Sequence, residues 1–222
     1  MLAKPLSERP ASRLVFHPDG HRYYLDGHRL PSNTEIIKAA GLIDDRWFTP
    51  ESRDRGTAVH QACHFLCEND LDWATVRPDY VPYVEACADF LRTSGFISER
   101  NEFPTWSDAG YATTPDDMGQ LNGFRSLINW KTGSISKWVG LQLTGEKIAV
   151  NERIGEQIEP WTGGLPYLNG HPYVEKIYAL ELRANGRWKL HPFNDADLSE
   201  TYLGMVRLHH WKTVNGYHGK EG

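Results

Sequence analysis

A polar motif in the middle of the chain combines residue types that could bind a metal ion and activate water. It runs from Thr113 to Lys131, and its aspartate Asp116 is followed thirteen residues later by the tripeptide Asn129-Trp130-Lys131. Two carboxylates and one ammonium at a single point would suit metal-dependent phosphodiester hydrolysis, because hard oxygen ligands hold Mg²⁺ and a cation lies near the attacking water. Asn129 occupies the position of the second acid, so one of the two carboxylates is missing.

A predicted β-hairpin would bring the two halves of this motif together. The dipeptide Asn122-Gly123 favours a two-residue turn. Asp116 would then lie near the far end of the first strand and Asn129 near the far end of the second, so their side chains can converge. Lys131 would share a strand face with Asn129, because side chains alternate along a strand. Spacing alone also allows two solvated strand ends, since Pro-Asp pairs and Asn-x-Lys triplets are common.

Helices and further strands are predicted on both sides of the motif. Ser32 to Glu35 has the spacing of a capping box, Thr49 followed by Pro50 is typical of a helix start, and Ser136 is a candidate cap. Short apolar segments broken by glycine, proline, asparagine and aspartate predict the strands. The predicted helices occupy residues 32–41, 49–67, 78–94, 136–152 and 195–211, and the predicted strands occupy 14–30 as a hairpin or meander, 96–103, 110–114, 118–121, 125–130, 174–183 and 187–191.

This order of elements predicts an α/β or α+β fold in which a mixed central β-sheet is flanked by helices. We expect one domain over residues 1–222, with a hairpin and helical segment in residues 1–95 and a catalytic core in residues 96–222. The stretch from Gly155 to Pro172 is rich in glycine and proline, and we expect it to form an ordered loop or lid.

Length and composition are those of an ordinary globular protein. The 222 residues are 40% apolar and 24% charged, and the formal net charge is -5. The charge does not exclude a nucleic-acid enzyme, because acids gathered at a metal site are neutralised by the metal. No apolar run is long enough for a membrane span, the first ten residues lack the apolar region of a secretory signal, and three cysteines are too few for a disulfide framework. We therefore expect a cytoplasmic protein that does not bind membranes.

A second candidate metal site lies in the predicted helix 49–67. Residues His60, Cys63, His64 and Cys67 fall on one helical face, so a zinc site is an alternative. Four ligands from consecutive turns of one straight helix cannot easily surround an ion tetrahedrally, whereas cysteine is often a small buried apolar residue. We therefore expect Cys63 and Cys67 to belong to the core.

Five elements in register resemble the RecB-like exonuclease branch of the PD-(D/E)xK nuclease superfamily, particularly its phage-encoded members. The resemblance spans about residues 20 to 212, and two departures stand out: Asn129 replaces the usual acid, and Glu146 replaces the usual tyrosine. The matching elements are Arg55-Gly56-Thr57-Ala58-Val59-His60, Glu102, Thr114-Pro115-Asp116, Asn129-Trp130-Lys131-Thr132-Gly133 and Gln142 to Glu146.

The resemblance implies a restriction-endonuclease-like nuclease core and a role for each matching residue. His60 and Asp116 would bind Mg²⁺ or Mn²⁺, together with position 129 and the backbone carbonyl of Trp130. Glu102 could supply an outer-shell or second-metal carboxylate. The two remaining roles belong to Lys131, which would orient or deprotonate the attacking water, and to Gln142, which would hold the motif or contact DNA.

Basic and aromatic residues near the motif are candidates for DNA contacts. Arg53, Arg55 and Lys137 could contact the phosphate backbone, and Trp138 could stack on bases, as could Trp47 and Phe48. Arg55, a little over one helical turn before His60, could reach a terminal phosphate and so select DNA ends. For each of these residues except Arg55, a solvated charge or a core aromatic is an equal alternative.

The asparagine at position 129 leads to two hypotheses. An amide oxygen can bind a cation but carries no full charge, so this chain should have little or no activity. Either an aspartate belongs at position 129 and this chain carries an inactivating replacement, or the protein is a natural pseudonuclease that binds DNA or a protein partner without cutting. The first hypothesis is favoured because Lys131, Asp116 and His60 remain. It predicts a phage-type exonuclease that processes linear DNA ends for recombination or repair, with a single-strand annealing or recombination protein as a further partner.

Overall fold

A five-stranded mixed β-sheet forms the centre of the structure, a computed structural model that describes residues 13–44, 46, 49–156, 172–194 and 197–217. The helices are α1 (Asn33–Ala39), α2 (Pro50–Cys67), α3 (Val81–Thr93), α4 (Trp138–Arg153) and α5 (Leu198–Val214). The strands are β1 (Leu14–His17), β2 (Arg22–Leu25), β3 (His28–Leu30), β4 (Ile97–Asn101), β5 (Thr105–Ser107), β6 (Tyr111–Thr113), β7 (Asp117–Leu121), β8 (Phe124–Lys131), β9 (Lys176–Leu182) and β10 (Trp188–Pro192).

The central sheet has the strand order β10-β9-β8-β7-β4. Strands β8 and β9 are parallel and every other neighbouring pair is antiparallel. Helix α4 lies between β8 and β9 in sequence and therefore provides the crossover that a parallel pair requires. The expected fold class, a mixed central sheet flanked by helices, is confirmed.

The β7–β8 hairpin forms as the sequence predicts. Asn122 and Gly123 both have positive φ, 51° and 81°, which is what a type I′ turn demands of its two central residues. The register pairs Asp117 with Ile128. Continuing that register by one position places Asp116 across from Asn129, so the two halves of the polar motif meet at one end of the sheet.

The two faces of the sheet are covered by different helices. On one face, Ile128 and Trp130 share an apolar core with Val59 of α2 and Phe90 of α3. The residues of β8 that alternate with these point to the other face, where Leu127 packs against Val139, Leu143 and Val150 of α4. A third core, which includes Ile36, Leu141, Tyr202 and Val206, lies between α4 and helices α1 and α5. Position 129 consequently faces α4, whereas Trp130 faces α2 and α3.

Two small sheets lie outside the central one. Strands β1, β2 and β3 form the antiparallel meander expected for residues 14–30, and β5 pairs with β6. The two small sheets pack together through Tyr23, Trp106 and Ala112. This packing holds Tyr23 beside the residues that precede Asp116.

Several predicted boundaries need correction. Helix α3 begins at Val81 rather than near Pro78, because Pro82 occupies its first turn, where a missing N–H costs nothing. Ser136 does not cap α4, whose N-cap position is Lys137, with no side-chain cap. Strand β5 was not predicted, and α5 runs to Val214.

Some expectations fall where the structure gives no description. Trp47 and Phe48, and most of the loop from Gly155 to Pro172, lie outside the described residues. Within the described ranges, no helix combines the length and the apolar character that crossing a membrane requires.

Candidate active site

Three of the predicted site residues converge at one end of the central sheet. The candidate ligand atoms of His60, Glu102 and Asp116 all lie within 4.8 Å of one another. His60 Nδ1 is 3.5 Å from Asp116 Oδ1. Within the described parts of the chain, no other group of three His, Cys, Asp or Glu side chains comes together in this way. We call His60, Glu102 and Asp116 the ligand cluster.

Each member of the ligand cluster is held by its neighbours in the fold. Asp116 directly precedes β7, and its Oδ2 accepts a hydrogen bond of 2.7 Å from the backbone N–H of Trp130. His60 lies on α2 with its ring edge-on to the Trp130 ring, at 5.8 Å between centroids. Glu102 directly follows β4 with φ +46°, and its N–H donates to the Asp116 carbonyl at 3.0 Å. A left-handed backbone at a glutamate is strained, and such strain often marks functional sites.

The charges in the ligand cluster shift one another's pKa values. Burial raises the pKa of Glu102 to about 7, and the negative charge of Asp116 adds to this effect. Burial also acts to raise the pKa of Asp116, but the charge and hydrogen bond of His60 outweigh burial and leave that pKa below its ordinary value. The pKa of His60 is raised in return, because the charge and hydrogen bond of Asp116 together exceed the lowering effect of burial.

Asn129 and Glu146 form a buried pair beside the ligand cluster. Asn129 Nδ2 donates to Glu146 Oε1 at 3.3 Å, and Gln142 Nε2 donates to the same oxygen at 3.0 Å. Burial, followed by the negative charge of Asp116, raises the pKa of Glu146 to about 8. Two oxygens of the pair, Asn129 Oδ1 and Glu146 Oε2, are buried without a hydrogen-bond partner.

Lys131 reaches the same region from the last position of β8. Its ammonium donates to Gln142 Oε1 at 3.4 Å, a long hydrogen bond that orients the side chain along α4. Gln142 thus connects Lys131 to Glu146, and its role in holding the motif stays a prediction. The side chain of Trp130 is buried in the core between the sheet and α2 and α3. A role for its backbone carbonyl as a ligand stays a prediction.

A cleft of about 550 Å³ opens onto the ligand cluster. Helix α2 lines one side with Gly56, and the region from β2 to the start of α1 lines the other with Tyr23 and Asn33. The Tyr23 hydroxyl bonds Thr114 Oγ1 at 2.8 Å, two residues before Asp116. Asn33 is buried, donates to the Gln142 carbonyl at 2.7 Å, and has an unpartnered Oδ1. Neither Tyr23 nor Asn33 was singled out from the sequence, because only tertiary packing brings the N-terminal meander to this cleft.

The candidate DNA-contacting residues lie in different environments. Arg53 and Lys137 are exposed. Arg55 Nε donates to Thr132 Oγ1 at 3.4 Å, so Arg55 lies beside the Asn129 to Gly133 motif. Trp138 packs against the cores on both sides of α4, which makes it a weaker candidate for base stacking.

The alternative zinc site on α2 is not formed. Cys63 is fully buried in the core between α2, α3 and the sheet. Cys67 Sγ donates to Asp117 Oδ2 at 3.2 Å, and His64 Nε2 lies 3.6 Å from Glu68 Oε2. The four side chains therefore have separate partners, as the geometry of a straight helix leads one to expect.

The donor set of the ligand cluster suits a divalent cation. Two carboxylates and one imidazole are ligands that Mn²⁺ accepts readily and that Mg²⁺ accepts with less tolerance for the histidine. The unpartnered Oδ1 of Asn129 is a further buried oxygen without a proton donor. A buried acceptor of this kind calls for an explanation, and a cation is one of the few that fit.

Comparisons with known proteins identify no family for this chain. No family model matches it, and no curated protein matches it. One solved structure that resembles it is a protein from Eubacterium rectale named "Putative exonuclease". The two chains share 13% sequence identity, the match covers 85% of this chain and 76% of the other, and the TM-score is 0.47. A likeness of this size carries no argument about activity.

Proposed function

We propose that this chain is a metal-dependent deoxyribonuclease, an exonuclease of the RecB-like type that acts on linear DNA ends in recombination or repair. The observation that carries the proposal is the convergence of His60, Glu102 and Asp116 next to Lys131 at the base of an open cleft. Imidazole, carboxylates and an ammonium in one place are the groups that phosphodiester hydrolysis requires.

His60, Asp116 and Asn129 Oδ1 would hold Mg²⁺ or Mn²⁺, and Glu102 would complete the site or hold a second ion. Such an ion would polarise the scissile phosphate and lower the pKa of a bound water. Glu102 and Glu146 would lose their protons more readily beside the cation and would then offset its charge, while Asp116 is fixed by Trp130 and need not rearrange to bind. The backbone bond to Trp130 thus preorganises the central carboxylate.

Lys131 supplies the positive charge on the substrate side of the site. In hydrolysis a water oxygen bonds to phosphorus, the bond from phosphorus to the 3′ oxygen breaks, and the 3′ oxygen receives a proton. The products are a 3′-hydroxyl and a 5′-phosphate. Lys131, directed by Gln142, would orient the water and stabilise charge on the phosphoryl oxygens. A role of Arg55 at the terminal phosphate would favour DNA ends, and Arg53 and Lys137 would contact the backbone further away.

Position 129 bears on how active the chain is. Considered alone, an amide in place of a carboxylate removes charge compensation and should lower the rate by about 10²-fold or more. The hypothesis of an inactivating replacement predicts that Asn129→Asp restores Mg²⁺-dependent degradation. The competing pseudonuclease predicts DNA binding without cleavage in both forms.

The test is a digestion time course on end-labelled linear, nicked and circular DNA, with Mg²⁺, Mn²⁺ or a chelator. We expect metal-dependent release of nucleotides with 5′-phosphates from linear DNA, by the chain itself or by Asn129→Asp. Intact DNA in every reaction, together with no calorimetric Mn²⁺ binding by either protein, would overturn the proposed function.

A further inference from the structure

We infer that Asn129 and Glu146 together replace the missing second carboxylate, with Asn129 offering the ligand oxygen and Glu146 carrying the negative charge. This inference rests on the proposed function and assigns the position of a charge within the same site. On this view the acid was relocated by 17 residues, from β8 to the facing turn of α4, rather than lost.

The contact between the two side chains is direct and enclosed. Asn129 is 0% and Glu146 1% exposed, and their side chains meet at 3.3 Å. Gln142 lies one helical turn before Glu146 and donates to the same Oε1, so two N–H groups fix the carboxylate. The Glu146 carboxyl is therefore held inside the protein, next to position 129.

Glu146 also fixes which way the Asn129 amide points. Its Oε1 accepts from Asn129 Nδ2, so the amide turns its nitrogen towards Glu146. Its Oδ1 then faces away from Glu146 and is buried without a donor. Leaving a buried acceptor unpaired is unfavourable. A cation at the ligand cluster would satisfy that oxygen, and the fixed amide would present it.

The charge of Glu146 is not matched by a contacting cation. Its Oε1 accepts from the amides of Asn129 and Gln142, and its buried Oε2 has no hydrogen-bond partner. Lys131 is one step further away, bonded to the far end of the Gln142 amide. Without a counter-charge a buried carboxyl favours its neutral form. A divalent cation bound by Asp116 and Asn129 would favour the ionised form and so place a negative charge beside position 129.

A purely structural role for Glu146 makes a different prediction. If Glu146 only filled space and accepted hydrogen bonds, glutamine would serve as well, because Oε1 of a glutamine can accept from Asn129 and Gln142. The charge is the one property that Glu146→Gln removes. Returning that charge to position 129 should therefore rescue the variant.

The experiment measures Mn²⁺ binding by titration calorimetry and cleavage of linear DNA for five proteins: the chain itself, Asn129→Asp, Glu146→Gln, Asn129→Asp/Glu146→Gln and the control Glu152→Gln. Glu152 lies on the same helix but outside this group, where it accepts from the Asp108 backbone N–H. We expect Glu146→Gln to weaken Mn²⁺ binding about 10- to 100-fold, the double variant to recover to within a few-fold, and the control to match the parent. Thermal unfolding with a chelator verifies that each protein is folded.

Three outcomes would overturn the inference. Glu146→Gln could bind Mn²⁺ as the parent does, or the double variant could fail to recover. The parent could also show neither binding nor cleavage while Asn129→Asp alone shows both, in which case the proposed function stands and position 129 is simply inactivated. Absence of binding and cleavage in all forms, Asn129→Asp included, contradicts the proposed function itself.

Discussion

Asp116 accepts a hydrogen bond of 2.7 Å from the backbone N–H of Trp130, and this bond links the start of β7 to the strand that carries Asn129 and Lys131. It uses one carboxylate oxygen and leaves the other facing His60 at 3.5 Å. The central acid of the site is therefore oriented by the hairpin itself, through a backbone N–H that only a proline at position 130 would remove.

Asp116→Asn should separate folding from metal binding. The amide oxygen can still accept from Trp130, so we expect the free energy of unfolding, measured in urea with a chelator, to change by only about 1 kcal/mol. Removing the charge should abolish calorimetric Mn²⁺ binding and lower DNA cleavage by about 10²-fold or more. Cleavage at the parent rate would show that Asp116 lies outside the reacting site.

Lys131→Met should have the opposite pattern. The Lys131 ammonium donates to Gln142 and is not a metal ligand, so its loss should leave the affinity for Mn²⁺ equal or slightly higher. Cleavage should fall about 10²-fold, because charge on the phosphoryl oxygens is no longer stabilised. Lys189→Met, at an exposed lysine of β10, is the matched control and should cleave as the parent does. Equal losses in both variants would indicate a general effect of charge on DNA binding.

Local patterns were sufficient to predict the elements that carry the site. The turn at Asn122-Gly123 depends on two residues that tolerate positive φ, and the alternation along β8 then assigns Asn129 and Lys131 to one face. The capping box at Ser32 also forms as predicted, because its two bonds lie within one turn of α1. The site residues that lie on these elements could thus be proposed without a structure, although their roles stay predictions.

Contacts between distant elements could not be read from local patterns. Glu146 was noted only as a departure from the usual tyrosine, since nothing near it in sequence indicates that α4 turns this residue onto Asn129. Tyr23 reaches the cleft because the N-terminal meander packs on the β5–β6 sheet, from which it is distant in sequence. The predicted cap of α4 was also wrong. Ser136 has a suitable side chain, but the helix begins one residue later than a cap at Ser136 requires.

Glu102 should show a conflict between stability and function. Its φ of +46° is unfavourable for any residue with a Cβ atom, so Glu102→Gly should be more stable than Glu102→Ala by about 1 kcal/mol. Both variants remove the carboxylate equally, and their difference therefore isolates the backbone. Both should also weaken Mn²⁺ binding about 10-fold or more. Urea unfolding with a chelator measures the stability of the two variants, and calorimetry measures their Mn²⁺ binding. Equal stability of the two variants would show that the backbone at position 102 is not strained.

Asp117 should make the metal-free protein less stable as pH rises. Its side chain faces away from the ligand cluster, where it accepts from Ser98 Oγ at 2.7 Å and from Cys67 Sγ at 3.2 Å. Burial raises its pKa to about 8, whereas an unfolded aspartate has a pKa of about 3.9. Between these values the folded state retains a proton that the unfolded state has lost, so the free energy of unfolding falls as pH increases and levels off above about 8.

Asp117→Asn removes this titration and supplies the test. The raised pKa values of Glu102 and Glu146 act in the same direction and remain in both proteins, so the difference between the two isolates Asp117. We expect the free energy of unfolding of the variant to rise relative to that of the parent by about 1 kcal/mol per pH unit between pH 5 and 8, since one pKa unit corresponds to about 1.4 kcal/mol. Urea unfolding with a chelator and a reductant, which keeps Cys67 as a thiol, measures this gain. Parallel stability curves for the two proteins would mean that Asp117 is ionised in the folded state, with its charge stabilised by Ser98 and Cys67.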